Sequence, residues 1–478
     1  MKKSKITAKE LKEIGYPQGP VIPVAMDIVS KHYKFEDKQV ISALLRKVLL
    51  SPTDFLMDDK LLPIAQKLVP SIIEQGVEMS LNKAGVDIVV FGGDLIDQIA
   101  MHQMYQAAKL PISIAAALMP DAHSGYGLPI GGVLAVDNAV IPYGVGLDIG
   151  CRMCLSIFDL PVKDLRSKTR FFIDTIEQSS LFGSGAAFSS GTQHDIMDDS
   201  RFYETRLLKG LQGKAWKQLG SSGSGNHFVE FGEVTLQEED PVIGLPSGQY
   251  LGLLTHSGSR GLGAKIASHY TSIALAKRRL PKEAKNLAWL TLDEAEGVEY
   301  WLAMNLAGDY ARGCHQVIHD KVARRLGARP IKVIENHHNF AWKECLEGQQ
   351  VIVHRKGATP AGKDVLGIIP GSMTTPGFIV KGKGTPASIY SAAHGAGRRM
   401  SRKSAIEAVR LKDFKADVEQ AGVRLLAGGL DESAFAYKDI YKVMKAQHAL
   451  VDEVGLFYPK IVKMDGASHR SWKDKLWD

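Results

Sequence analysis

The stretches Asp87–Asp94 (DIVVFGGD), Gly131–Asp137 (GGVLAVD) and Gly252–Gly261 (GLLTHSGSRG) decide the fold class. Each is a short apolar run closed by glycine, the pattern of a buried strand entering a turn. They begin after Val86, where the texture of the chain changes. Upstream, residues 1–85 read as helical and charged, with apolar positions recurring at three and four in VISALLRKVLL and LLPIAQKLVPSIIEQG. Downstream, helical pieces intervene, the longest running from Lys282 to Leu326, and the segment 403–450 again reads as mainly helical. Strands and helices mix without the regular alternation of a doubly wound sheet, so the expected class is α+β. The expected organisation is an N-terminal helical extension at 1–85, a main body at 86–466 and a short tail at 467–478.

The chain has 478 residues, of which 45% are hydrophobic and 23% charged, an ordinary globular composition with ample length for a core without disulfides. Four scattered cysteines (Cys151, Cys154, Cys314, Cys345) form no framework and suit a reducing interior. The opening MKKSKITAKELKEIG carries positive charge but no apolar stretch follows, which argues against export. The longest apolar runs, such as LPISIAAALMP, are too short to span a bilayer. The expectation is a cytoplasmic protein with no membrane partner. A net charge of +7 favours an anionic partner. Two basic clusters sharpen this, His354-Arg355-Lys356 and the group Arg398, Arg399 and Arg402, and both are expected to contact phosphates.

Glycine gathers in GYGLPIGG, GVGLDIG, GSSGSGN, HSGSRGLG and HGAGR, and each cluster carries or abuts a His, Asp, Cys or Asn. Because glycine permits close backbone approach to a ligand, these five loops are candidate walls of one site. In GLDIGCRMC, Asp148 and Cys151 would point to opposite faces of a strand, but a turn at Gly150 could aim both at one ion. A buried Cys beside a turn Asp is the plainer reading, and a Cys151/Cys154 zinc or redox pair is a weaker rival because no second pair exists. His227, His256 and His338 stand in separate loops; with Asp148 and Cys151 they could ligate two divalent metals if the thiolate bridges. Ligand softness alone points to zinc, and nothing in the residues selects manganese. His394, in HGAGRRMSR, has free amides around it for an anion and is a candidate covalent nucleophile. No Walker loop is present, and no GxGxxG opens a βαβ unit.

Taken in order, MPDAHSGYGLPIGGVLA, GVGLDIGCRM, GSGNHFVE, HSGSRGLG, HHNFAW, HRKGATPA, PGSM and HGAGRRMSR resemble the RtcB family of RNA-splicing ligases over roughly residues 85–466. The resemblance implies a fold with central mixed β-sheets flanked by helices. It implies two Mn²⁺ ions held by Asp148, Cys151, His227, His256 and His338, with Cys151 bridging, and a guanylylated histidine at His394. GTP contacts are implied at Asn226, His227, Phe228, Glu230, His338, Asn339, Pro370, Gly371, Ser372, Met373, Gly395, Ala396, Gly397, Tyr437 and Lys463, with Glu230 facing the guanine edge and Lys460 a rival to Lys463. The implied substrates are RNA ends bearing a 3′-phosphate or 2′,3′-cyclic phosphate and a 5′-hydroxyl, and an archease-type activator is a possible partner.

The chain also departs from the family pattern. PGSMTTPG places Thr374 and Gly377 where the family carries PG(S/D)MGTxS, with its nucleotide-touching serine; Gly377 stands in for that contact. The N-terminal extension matches nothing in the motif set. These features point to a divergent bacterial-type branch and leave a substrate other than tRNA open. Two rival readings remain open: an RNA or DNA 3′-phosphate guanylyltransferase or cyclic phosphodiesterase without ligation, and a non-catalytic RNA-binding paralogue.

Overall fold

The computed structural model describes residues 6–56, 58–69 and 76–466, so the expected tail at 467–478 lies outside the described residues. The architecture is α+β, as the mixed pattern of short apolar runs and helical pieces implies. The three deciding stretches are strands: Ile88–Val90, Ile130–Val136 and Gly248–Ser257.

A large sheet runs in the order Lys332–His337, Arg152–Phe158, Gly248–Ser257, Phe228–Leu236, Val451–Met464, Gly377–Gly382, Leu366–Ile369. Arg424–Ala427 adds to it in parallel beside Val451–Met464, whereas the other pairs are antiparallel. A five-stranded sheet has the order Asn339–Leu346, Gln349–Lys356, Ile130–Val136, Ser113–His123, Ile88–Val90. The chain passes from the large sheet to the smaller one at a single residue, His338, between strands Lys332–His337 and Asn339–Leu346.

The 282–326 stretch differs in part from the helical expectation. Lys282–Leu287 is a 3₁₀ turn and Leu290–Thr291 a short strand, after which one helix runs Ala295–Leu326. Tyr300, Met304, Ala307, Tyr310 and Cys314 on that helix are buried in the main core. Its Gly308 has a packing reason: a Cβ there would lie 2.8 Å from the Phe340 ring. The 403–450 segment holds helices Arg402–Ala408, Leu411–Gln420 and Ile440–Ala446, interrupted by strand Arg424–Ala427.

The N-terminal helices have a cluster of their own, which includes Leu11, Ala25, Ile41, Leu45, Val48, Ile64 and Leu68. Local signals start them: Thr7 and Glu10 form a reciprocal capping box, and Asp37 caps Lys38–Leu50. They touch the body through ion pairs Arg206–Asp54 (2.8 Å) and Lys265–Asp59 (3.2 Å). No helix among the described residues is long and apolar enough to cross a membrane.

Candidate metal and nucleotide site

Strand register brings the separate histidine loops together. Arg152 pairs with Ser257 and with His337, and Phe228 pairs with His256, so four neighbouring strands end at one edge of the large sheet. Cys151 and His227 each precede one of these strands, His256 lies at the end of a third, and His338 follows the fourth. The main-chain N–H of His338 donates to Cys151 O at 3.0 Å. The DIGC segment is a turn: Cys151 N–H donates to Asp148 O, and Gly150 takes φ +67°, where a Cβ would lie 2.7 Å from Gly308 of the long helix. Gly258 is equally constrained, since a Cβ there would sit 1.9 Å from the Asp148 carboxylate.

The donor atoms converge. His256 Nε2 lies 3.2 Å from Cys151 Sγ and 3.2 Å from His338 Nε2. His227 Nε2 lies 3.4 Å from the same sulfur and 3.0 Å from Asp148 Oδ2. Carbonyl acceptors fix two tautomers, because His227 Nδ1–H donates to Ser222 O (3.0 Å) and His256 Nδ1–H to Asn226 O (2.9 Å). Their Nε2 lone pairs therefore face the sulfur, the orientation that outer hydrogen bonds impose on metal-ligating imidazoles. The buried Nδ1 of His338 has no hydrogen-bond partner among the described residues, so a further donor atom is available. Burial opposes ionisation of Asp148, yet the His227 imidazole beside it holds the carboxyl at about 2. Burial, with the Asp148 charge, pushes the Cys151 thiol up; burial also lowers His256 to about 3. A carboxylate, a sulfur and imidazoles gathered out of water fit a divalent cation that displaces the protons they carry.

His394 follows the short strand Ser391–Ala393 and stands beside this cluster, its ring centroid 4.8 Å from that of His338. Its Nδ1 is 2.6 Å from Asp121 Oδ2, and its main-chain N–H donates to the same oxygen at 3.2 Å. Asp121 is fully buried, in strand Ser113–His123. A carboxylate accepts only, so Nδ1 carries the proton and Nε2 keeps a free lone pair. The Lys438 ammonium is held against the same strand through Pro120 O and Ala122 O, which offsets the buried charge. Asp121 belongs to the segment MPDAHSGYGLPIGGVLA, and no local pattern links it to a partner 273 positions away.

Asp148, Cys151, His256, His338 and His394 line one cavity of about 900 Å³, within the ordinary size for a small-molecule site. So do Asn226, Phe228, Glu230, Asn339, Pro370, Gly371, Ser372, Met373, Gly377, Gly395, Ala396, Gly397 and Tyr437. His227 reaches the cluster from just behind this lining. Burial pushes the Glu230 carboxyl well above the usual range. Thr374 turns away to donate to Asp417 (2.8 Å), while the Thr375 hydroxyl accepts from Ser372 N–H (2.7 Å) and steadies the PGSM turn.

Two expectations need correction. Lys463 does not reach the cavity. It alternates with Val462 and Met464, which line it, and therefore points to the other side of its strand, where it pairs with Glu177 and lies over Phe182. The His354-Arg355-Lys356 cluster is not a phosphate-contacting surface, because it lies on strand Gln349–Lys356 with neighbouring strands on both sides. Arg355 is 1% exposed, forked onto Glu344 at 2.6 and 3.0 Å, and stacked over Trp342. His354 Nε2 accepts from Ile141 N–H. Lys356 alone lines the cavity. The second basic group does line it: Arg398 reaches Tyr437 OH and Asp431 O, and Arg402 is paired with Asp431 and Glu432.

Cys154 belongs to a separate buried cluster with His315 and His319. There Ser156 O–H donates to His319 Nδ1 (2.7 Å), His319 Nε2–H to Thr255 Oγ1 (2.8 Å), Thr255 O–H to His315 Nδ1 (2.6 Å) and His315 Nε2–H to Ser257 O (3.1 Å). This chain satisfies all four ring nitrogens without an ion. Cys151→Ser is therefore expected to weaken metal binding by more than about 10- to 100-fold, the scale for losing even an outer partner. Cys154→Ser leaves metal content unchanged. Metal analysis of the two purified variants checks this; equal losses would place an ion on Cys154, His315 and His319 instead.

The chain matches the family model described as tRNA-splicing ligase RtcB over residues 103–204 and 203–464. It is 32% identical over 390 residues to the RNA-splicing ligase RtcB of Escherichia coli K12, covering 74% of this chain and 91% of that protein. It is 32% identical over 419 residues to the tRNA-splicing ligase RtcB of Thermococcus kodakarensis, covering 73% and 87% of the two chains. The RNA-splicing ligase RtcB of Mycobacterium tuberculosis is 30% identical over 415 residues, covering 72% and 95%.

Proposed function

The chain belongs to the RtcB family, and from that premise we propose that it is an RNA ligase that joins a 3′-phosphate end to a 5′-hydroxyl end through a guanylylated His394. The observation that carries this reading is the placement of His394: Asp121 fixes its Nδ1 proton, and its ring stands against the ligand cluster. A nucleophile needs a free lone pair and an orienting third group, and this arrangement supplies both.

His394 Nε2 attacks the α-phosphorus of GTP; an N–P bond forms, the bond to the bridging oxygen breaks, and pyrophosphate leaves. An oxygen of the RNA 3′-phosphate then attacks the same phosphorus, which frees the histidine and leaves the RNA end as a 3′-diphosphate to guanosine. Finally the 5′-hydroxyl oxygen attacks the RNA phosphate, forms the phosphodiester and expels GMP. A 2′,3′-cyclic phosphate is first opened by water, which breaks the bond from the 2′ oxygen to phosphorus. Asp121 holds the imidazole in the reactive tautomer throughout. Asp148, Cys151, His227, His256 and His338 would hold two Mn²⁺ ions. Such ions supply positive charge against phosphate oxygens as negative charge develops. Arg399, exposed at the rim of the cavity, suits a phosphate of the RNA backbone.

The nucleotide lies among Asn226, Glu230, Asn339, the Pro370–Met373 turn, the Gly395–Gly397 amides and Tyr437, residues that share one cavity. The N1–H and exocyclic amine of guanine donate to the Glu230 carboxyl and, once bound, favour the ionised form that burial alone disfavours, whereas adenine presents an unprotonated N1. Losing a charge-assisted bond costs about 1.5–3 kcal/mol, so Glu230→Ala is expected to cut GTP-over-ATP selectivity by roughly 10- to 100-fold. Competition labelling with the two nucleotides measures it; unchanged selectivity removes Glu230 from the base pocket. Gly377 lacks a positive φ, and a Cβ there meets Pro370 at an ordinary 3.4 Å, so the site accommodates Gly377→Ser, which is expected to recover part of the lost selectivity.

The reaction class is tested with RNA bearing a 2′,3′-cyclic phosphate, a 5′-hydroxyl partner strand, GTP and Mn²⁺. Joined product is expected. Accumulation of a guanosine-capped 3′ end without joining would favour a capping enzyme, and opening of the cyclic phosphate alone a phosphodiesterase.

A further inference from the structure

At the cavity mouth Tyr126 presents its ring to water, whereas the other strongly exposed tyrosines, Tyr105, Tyr203 and Tyr441, lie away from the cavity. Tyr270, Tyr300 and Tyr310 are fully buried, but Tyr126 is 72% exposed while lining the same cavity as His394 and the ligand cluster. Its exposure does not come from a loose loop. The Gln103 side-chain amide grips the backbone of Gly125 twice, donating to its carbonyl (2.6 Å) and accepting from its N–H (3.0 Å). The buried Lys356 ammonium donates to the carbonyls of Tyr126 (2.5 Å) and Tyr143 (3.1 Å). On the other side, Gly127 takes φ +74° against Asn286 O, where a Cβ would come within 2.9 Å. The backbone is thus held on three consecutive residues, and the ring is presented to water. The neighbouring Tyr143 ring, 6.3 Å away between centroids and tilted by 39°, does not lie parallel to it.

An exposed ring on a held backbone beside a phosphate-handling site is a means by which proteins hold unpaired bases, since every base offers a π-face. We propose that Tyr126 is a stacking platform for a nucleobase near the RNA end being joined. This subsite rests on the RNA-ligase reading and adds a contact to the base, where Arg399 offers one to the backbone. It recognises no particular base, because stacking is tolerant of sequence.

The test uses the full-length protein with Tyr126→Ala, Tyr126→Phe and Tyr126→Trp, fold being checked by thermal unfolding. RNA affinity is measured with single-stranded oligonucleotides carrying one abasic position, moved stepwise from the end. Tyr126→Ala is expected to weaken binding of intact RNA by about 5- to 150-fold, the range for one stacked base, while the Phe and Trp variants bind as the parent does. One abasic position should weaken the parent protein by a similar factor and add nothing to Tyr126→Ala, the signature of a coupled pair. The proposal is overturned if Tyr126→Ala binds intact RNA normally, or if Tyr126→Phe is as weak as Tyr126→Ala, which would assign the effect to the hydroxyl. A parent protein that labels with GTP yet binds no RNA overturns the RNA reading itself and the stacking subsite with it.

Discussion

Replacing His394 by alanine is expected to lower joining of a 3′-phosphate strand by at least about 10⁴-fold, the scale on which loss of a covalent nucleophile acts. The same variant should still seal RNA that already carries an activated guanosine-diphosphate 3′ end. In the proposed sequence, only the first two transfers pass through the imidazole, and the last is an attack of one RNA end on the other. The substitution removes a side chain that touches Asp121 and His338 but supplies none of the converging donor atoms of Asp148, Cys151, His227 and His256. Gel assays with the two substrates side by side decide the matter. Parent-level joining of the plain 3′-phosphate strand would remove His394 from the pathway, and loss of both activities would show that it serves the final step as well.

The second large effect belongs to Asp121. Asp121→Asn keeps the shape but replaces an acceptor with an amide that can donate to His394 Nδ1. The ring proton then moves to Nε2, the nitrogen required for attack. A wrong tautomer at a catalytic histidine costs on the order of 10⁴-fold in another well-studied system, so a fall of about 10²- to 10⁴-fold in GMP transfer is expected. The rate of protein labelling measures it, with metal content as the internal control. A rate within tenfold of the parent would mean that the 2.6 Å contact orients nothing of consequence.

What could be read from the sequence follows from the range of the physics involved. Strand runs closed by glycine are local, and Ile88–Val90, Ile130–Val136 and Gly248–Ser257 stand where those runs were marked. The DIGC turn is local too, and Gly150 makes it. The meeting of His227, His256 and His338 is not local; it is set by the order of four strands, which only the resemblance could supply. The Asp121–His394 contact joins strand Ser113–His123 to the residue after strand Ser391–Ala393, far apart in the chain, and left no local trace. The two errors have different causes. The basic triplet ends a strand that is buried from Val351 onward without alternation, between two neighbouring strands, and Arg355 there meets Glu344, a partner offered by one of them. Val462-Lys463-Met464 does alternate, so the two apolar residues face the cavity and the lysine cannot.

The most direct test of the central claim is incubation of the protein with α-labelled GTP and Mn²⁺, followed by denaturing electrophoresis, peptide mapping and a chase with 3′-phosphate RNA. The predicted result is a label on the peptide containing His394, lost in acid and stable in alkali as a phosphoramidate is, that moves into RNA during the chase. A label that survives acid, maps to another peptide or fails to move into RNA would contradict the account.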